Sequence, residues 1–301
     1  MEHLVVLLVS IPVYLGGIAA EAASLPRRRR AGADVVGYER RDTVASLAMG
    51  AGSLVVGVPY AAAAAVLADL CFRARLVDLP NAGVAWLVAM VGWDLLYYWT
   101  HRWEHEVRFF WAGHVNHHSS ERYNLSTALR QPWTPFLTVV TFPLLGLVGV
   151  EPWLIFVAGG LNLAYQYWIH TEAIDRMPAW FEAVFNTPSH HRVHHGSNPR
   201  YLDRNHGGVL IVWDRLFGTF QREEERVVYG LTTDIGSFDL RVIAFHEYAA
   251  IARDVRAART WRARLGHVVG RPGWRPAPSP VAVPGTASRL AVAPEETTQA
   301  A

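Results

Sequence analysis

The chain alternates long uncharged apolar runs with shorter polar stretches, and the length of those runs predicts helices rather than strands. The first run, Leu4 to Ala20, is mostly aliphatic, and Arg27-Arg28-Arg29-Arg30 follows it. A cleaved signal peptide carries its basic residues ahead of the apolar run, so this order predicts a retained membrane anchor. The Arg cluster places residues 24–42 in the cytoplasm and the N-terminus outside. Thr43 to Ala68 is a second uncharged run, long enough to cross a bilayer with tilt, and its Gly and Ala content suits close helix packing. A third opens at Pro80-Asn81-Ala82-Gly83 and ends in Trp93-Asp94-Leu95-Leu96-Tyr97-Tyr98-Trp99, with aromatic residues suited to a membrane interface. Three crossings from an outer start put His101 on the cytoplasmic side. The stretch Arg130-Gln131-Pro132-Trp133-Thr134-Pro135 ends the helical pattern. Phe136 to Val150 and Trp153 to Ile169 then read as a membrane hairpin that returns to the same side. Beyond Thr171 the chain is polar, aromatic and rich in Arg. Residues 228–265 read as a soluble, amphipathic helical end, and from Arg271 the Pro, Ala and Thr content predicts disorder.

Composition changes this picture little. Hydrophobic residues make up 51% of the 301 residues, which fits a membrane protein. The net charge of +2 is too small for a nucleic-acid partner. Every basic side chain other than histidine is Arg. Cys71 is the single cysteine, so no intramolecular disulfide forms and no Cys contributes to a thiolate cluster.

The chemistry lies in the histidines. His101 and His105 are four residues apart; His114, His117 and His118 are three and four apart; His191, His194 and His195 repeat that spacing. Each set shares one face of a helix. One histidine pair is most often packing, but eight imidazoles in three helix-phased sets point to metal. A single tetrahedral zinc takes four ligands, so the count calls for two ions. Imidazole suits iron, zinc, copper and nickel alike; oxygen chemistry beside a membrane points to iron, and ligand type by itself leaves zinc open. His170 ends an apolar run, where an ionisable group is a functional candidate. Asp94, seven residues before His101, shares its face and either orients an imidazole or is an interfacial carboxylate. Glu106, Glu121 and Glu172 are the nearest other carboxylates, each placed to orient a ring, to bind a reductant or to face water. His3, His246 and His267 lie outside the sets and read as surface or packing residues. The motif His-Glu-x-x-His of zinc peptidases fails, because Phe109 stands where the second His is required. A bis-histidine haem protein would place its pairs deep in the spans rather than outside them.

The patterns HxxxH, HxxHH and HxxHH resemble the sterol desaturase/fatty acid hydroxylase superfamily. The run from His105 through Glu121 to Gln131, together with Trp168-Ile169-His170-Thr171-Glu172 and Asn186 to His195, resembles its alkylglycerol monooxygenase subgroup. So does the run from Gly207 to Thr219. The resemblance implies an all-α fold: a polytopic membrane helical bundle with a cytoplasmic, histidine-rich helical cap holding a dimetal site. It divides the chain into an N-terminal anchor and basic loop (1–42), a catalytic domain (43–245), a soluble helical end (246–270) and a disordered tail (271–301). It implies two Fe ions held by His101, His105, His114, His117, His118, His170, His191, His194 and His195; Glu106, Glu121 and Asp94, chosen by their position near these residues, are the candidate catalytic carboxylates. His190 and His206 are further candidates, and in most of the family the place of His206 is taken by Tyr or another residue. The activity implied is hydroxylation of a lipid with O2, with tetrahydrobiopterin or a separate electron donor as reductant. Cleavage of glyceryl ethers is one form of it, and a sterol or fatty-acyl hydroxylase or desaturase is the alternative.

Overall fold

The computed structural model describes residues 2–276, residues 2–9 by backbone only; the remainder of the expected tail lies outside the described residues. The expected N-terminal anchor is part of one helix, α1 (Glu2–Arg30), whose last turn carries the four arginines. There they face the negative end of the helix dipole. α1 lies along α6 (Pro152–Trp168), with Tyr14 stacked on Tyr167 at 4.2 Å.

Two helices are long and apolar enough to cross a membrane, α2 (Arg40–Arg73) and α3 (Ala82–Glu106). Only 17% and 22% of their most apolar windows are buried by the rest of the chain. A core helix of a soluble protein would be mostly covered. Val55, Val58, Val66 and Leu87 are each more than half exposed. Asn81 caps α3 by accepting from the Val84 amide at 3.0 Å, which satisfies one of the free N–H groups at a helix start. The expected hairpin is shorter and more irregular than two full spans. It consists of α5 (Phe136–Thr141), a tight 3-10 segment (Phe142–Val148) and the seventeen-residue α6. Gly146 makes this packing feasible: a Cβ there would stand 2.7 Å from the Phe72 amide nitrogen of α2.

The core between these helices is built from Ala89, Trp93, Phe142, Leu145, Leu154, Ile155 and Ala158. Trp93 stacks flat on Phe142 at 4.1 Å. At the far end of α3 sits a cap of short helices: α4 (Arg108–His118), α7 (Ala179–Val184), α8 (Pro188–His194) and α9 (Val212–Phe217). α10 (Leu240–Ala257) and α11 (Trp261–Val269) close it. Arg108 fastens this closure, donating to Glu247 at 2.6 Å and to Asp254 at 2.7 Å. The expected domain joints at 42/43 and 245/246 fall inside α2 and α10, which run through them unbroken. Residues 271–276, the opening of the expected tail, lie against α11, with Trp274 packed on His267. Among the described residues there is no strand, only two isolated bridges, Phe185–Leu210 and Gly196–Tyr229.

Candidate metal centre

The end of α3 and the start of α4 are separated by one extended residue, Val107. The chain therefore reverses sharply and brings the His101/His105 face onto the His114/His117/His118 face. α8 starts with Pro188, whose fixed φ suits a first helical turn, and presents His191, His194 and His195 to the same point. His170 comes in two residues after α6 ends. All nine of these rings are buried.

The nine divide into two groups. His101, His105, His114, His118 and His194 bring one nitrogen each within 4.8 Å of one another, and His117, His170, His191 and His195 form the second group. In the first, the Nε2 of His114 lies 3.1 Å from the Nε2 of His101 and 3.1 Å from that of His118. In the second, the Nε2 of His170 lies 3.2 Å from that of His117 and 2.9 Å from that of His191. Ligand nitrogens at about 2.0–2.1 Å from one ion stand roughly 3–3.5 Å apart. Ring nitrogens packed this closely without a proton donor between them gain little from one another. Several find no partner at all: the Nε2 atoms of His105, His194 and His195 are buried and unbonded. Buried polar atoms are otherwise nearly always satisfied, so the donor set fits a cation.

Outer nitrogens fix the orientation. His101 Nδ1 contacts the His206 carbonyl at 2.9 Å, His194 Nδ1 the Arg204 carbonyl at 2.9 Å, and His170 Nδ1 the Gln166 carbonyl at 2.7 Å. An N–H donated there leaves Nε2 as a bare lone pair facing inward. Burial pushes His114, His117, His118, His191, His194 and His195 well below the usual imidazole range, and the charge of neighbouring rings adds to it. His170 is pushed down to about 4 by burial. These seven rings are neutral at neutral pH, the form that binds metal.

Residues 86–219 match the fatty acid hydroxylase family. Alkylglycerol monooxygenase from Homo sapiens is 45% identical over 203 residues, covering 67% of this chain and 45% of that protein. The Danio rerio alkylglycerol monooxygenase is 44% identical over 204 residues, with the same shares. Lathosterol oxidase from Mus musculus is 27% identical over 160 residues, 48% of each chain. Residues 86–219 thus form a segment of the fatty acid hydroxylase type. The chain spans about half the length of the curated relatives it matches. No solved structure matches it. The family match contains all nine grouped histidines.

The carboxylates expected from sequence sit elsewhere. Asp94 faces no imidazole. Its two oxygens accept from Asn162 Nδ2 (2.7 Å), the amides of Val209 (2.7 Å) and Leu210 (3.1 Å), and Trp213 Nε1 (2.9 Å). It pins residues 207–213 against α3 and α6, and so holds the His206 carbonyl that His101 addresses. Gly208 allows the close approach, since a Cβ there would lie 2.9 Å from Asp94 Oδ1. Helical phase put Asp94 and His101 on one face, but the loop wedges in between. Glu106 points away from the rings to Arg102 and Arg271, both at 3.2 Å. Glu121 is exposed, and Glu172 pairs with Arg226 at 2.7 Å.

Two residues that sequence reasoning passed over do reach the rings. Glu104 Oε2 lies 3.5 Å from His114 Nδ1, and Asp203 Oδ1 lies 3.7 Å from His105 Nδ1. Glu104 was detectable as the residue between His101 and His105 that turns toward α4. Asp203 had no signal in the sequence. His206 is fully buried beside His101, His105 and His194 with ring centroids 5.0–5.8 Å apart, and joins neither group. His190 turns away, onto Phe220. A cleft of about 680 Å³ opens onto His105, His118, His194 and His195 and is bounded by Asp203, Glu247, Arg253 and Arg271.

Proposed function

We propose that this chain is an integral membrane di-iron oxygenase that uses O2 to hydroxylate a lipid, in the manner of alkylglycerol monooxygenase. The observation that carries the reading is the division of nine buried imidazoles into two convergent groups. The likeness to alkylglycerol monooxygenases over that same region supports it. The nitrogen-rich, thiolate-free donor set suits iron. When bound, two iron ions would supply the redox chemistry that inserts one atom of O2 into an unactivated C–H bond. His101, His105, His114, His118 and His194 would hold one ion, and His117, His170, His191 and His195 the other.

The protein's own part is orientation and exclusion of water. Backbone carbonyls of His206, Arg204 and Gln166 hold the imidazole tautomers. Tyr123 covers the second group, stacked on His170 at 5.9 Å and on Tyr229 at 4.8 Å. Arg130 fixes the loop behind His117 through a 2.6 Å ion pair with Asp42 of α2. An apolar cavity of about 360 Å³ among α1, α2, α3, α5 and α6, lined by Tyr14, Tyr60, Trp93, Phe142 and Leu163, suits a hydrocarbon chain. The cluster would lie on the cytoplasmic side, given the arginines that end α1. Electrons would come from tetrahydrobiopterin or a separate donor protein. The likeness to lathosterol oxidase favours a second reading, a sterol or fatty-acyl hydroxylase or desaturase.

The test is metal analysis of the detergent-purified protein beside His118→Ala and His195→Ala. About two irons per chain, with one or both lost in each variant, is the expected result. Metal content untouched by both substitutions overturns the reading. Glyceryl ether, sterol and fatty-acyl substrates, offered with and without tetrahydrobiopterin, then separate the two activities.

A further inference from the structure

We infer that Glu104 and Asp203 are positioning residues that make the two metal positions unequal, strengthening the five-histidine group alone. The inference rests on the reading of the cluster as a metal centre. Sorting the histidines by what stands behind the outer nitrogen shows the difference. Carbonyl oxygens stand behind His101 and His194 in the five-histidine group, and behind His117 (Arg130, 3.3 Å) and His170 in the four-histidine group. Carboxylates stand behind His114 and His105 only, Glu104 at 3.5 Å and Asp203 at 3.7 Å. Among the described residues no carboxylate pairs with a ring of the four-histidine group.

Both carboxylates are placed at a cost, which argues against accident. The Glu104 side chain is 17% exposed and makes no other hydrogen bond or ion pair among the described residues. A carboxylate so covered without a cation is unfavourable unless positive charge is nearby, and the nearest place for such charge is the histidine group itself. Asp203 sits in the left-handed region with φ at 56°, a conformation that favours glycine. That backbone turns its carboxylate toward His105 at the edge of the cleft. The distances exceed a hydrogen bond by about half an ångström, and a small side-chain rotation is required to close that gap. A carboxylate accepting from Nδ1–H makes the opposite nitrogen a stronger donor than a carbonyl does, and such partners typically change metal affinity about 10- to 100-fold.

The experiment loads the full-length, detergent-purified protein with Co(II), whose visible absorption reports imidazole ligation, and withdraws the metal with a graded chelator. Wild type is expected to lose metal in two steps. His118→Ala removes the tight step and His195→Ala the weak one, which assigns each step to its group. Glu104→Gln and Asp203→Asn are then expected to weaken the tight step by about 10-fold or more each, to shift its absorption band and to leave the weak step in place. Glu224→Gln, in the exposed ion pair of Glu224 with Arg200, is expected to change neither. Equal weakening of both steps, or no change in the tight one, overturns the inference. If the two histidine variants leave the titration unchanged, the metal-centre reading itself fails. The isosteric Gln and Asn keep packing volume, and circular dichroism of each variant confirms that it is folded.

Discussion

The apolar lengths of α2 and α3 and the cap at the end of α3 differ in what they leave exposed and what they cover. Along α2 and α3, valines and leucines stand exposed while small residues such as Ala68 and Ala89 are fully covered. In the cap, polar residues are covered as well: His191, His206, Asn186, Asn205 and Asp214, each at most 1% exposed, stand beside the equally covered Val193, Tyr201 and Ile211. The contrast teaches what each region is solvated by. Apolar surface left open costs nothing in hydrocarbon. Polar groups shut away are tolerated only when bonded to one another or to an ion.

The largest expected effect falls on the bond network that separates the two regions. Asp94→Ala removes the acceptor for four donors at once, and each buried donor left unmet costs about 1–3 kcal/mol. Even with partial repair by water, thermal unfolding in detergent should show a loss of about 3 kcal/mol or more, with weaker metal retention as the His206 carbonyl drifts. A variant as stable as wild type would show that the loop over α3 is not what holds the cap in register. Next in size, Val58→Arg puts a charge on the exposed face of α2. In a bilayer centre this costs about 2.5–3.5 kcal/mol of insertion, read as reduced glycosylation-tag insertion or membrane yield. A solvated surface site would tolerate it within about 0.5 kcal/mol, and that outcome would break the comparison. The last test concerns pH. His170 is held at about 4 when folded against about 6.5 when unfolded. The unfolded chain therefore takes up the proton first, and the metal-free protein should lose stability as pH falls from about 6.5 toward 4. Thermal melts of chelator-treated protein across that range test it; a flat response would mean the cap is wetter than its packing indicates.

Much of the candidate site was legible in the chain because imidazole spacing of three and four leaves few alternatives to a helix face. The apolar run from Thr43 to Ala68 and the Pro-bounded break before Phe136 were legible for the same local reason. The supporting carboxylates were not. Asp94 shares a face with His101, yet Gly208 lets a loop more than a hundred residues away come between them. Glu106 adjoins His105, but Arg102 one turn back draws it outward.

By itself the sequence determined which side chains could be ligands, the helices that phase them and the family that residues 86–219 resemble, since the first two follow from short-range periodicity and the last from motif. Only the tertiary structure decided which of these side chains converge. His170 joins His117 across the whole hairpin, His194 and His195 part to different groups although they are neighbours, and Glu104 and Asp203 come to stand behind two rings of one group. Helical spacing fixes the face a residue occupies; which faces meet is set by the packing of distant elements, and no local pattern encodes it.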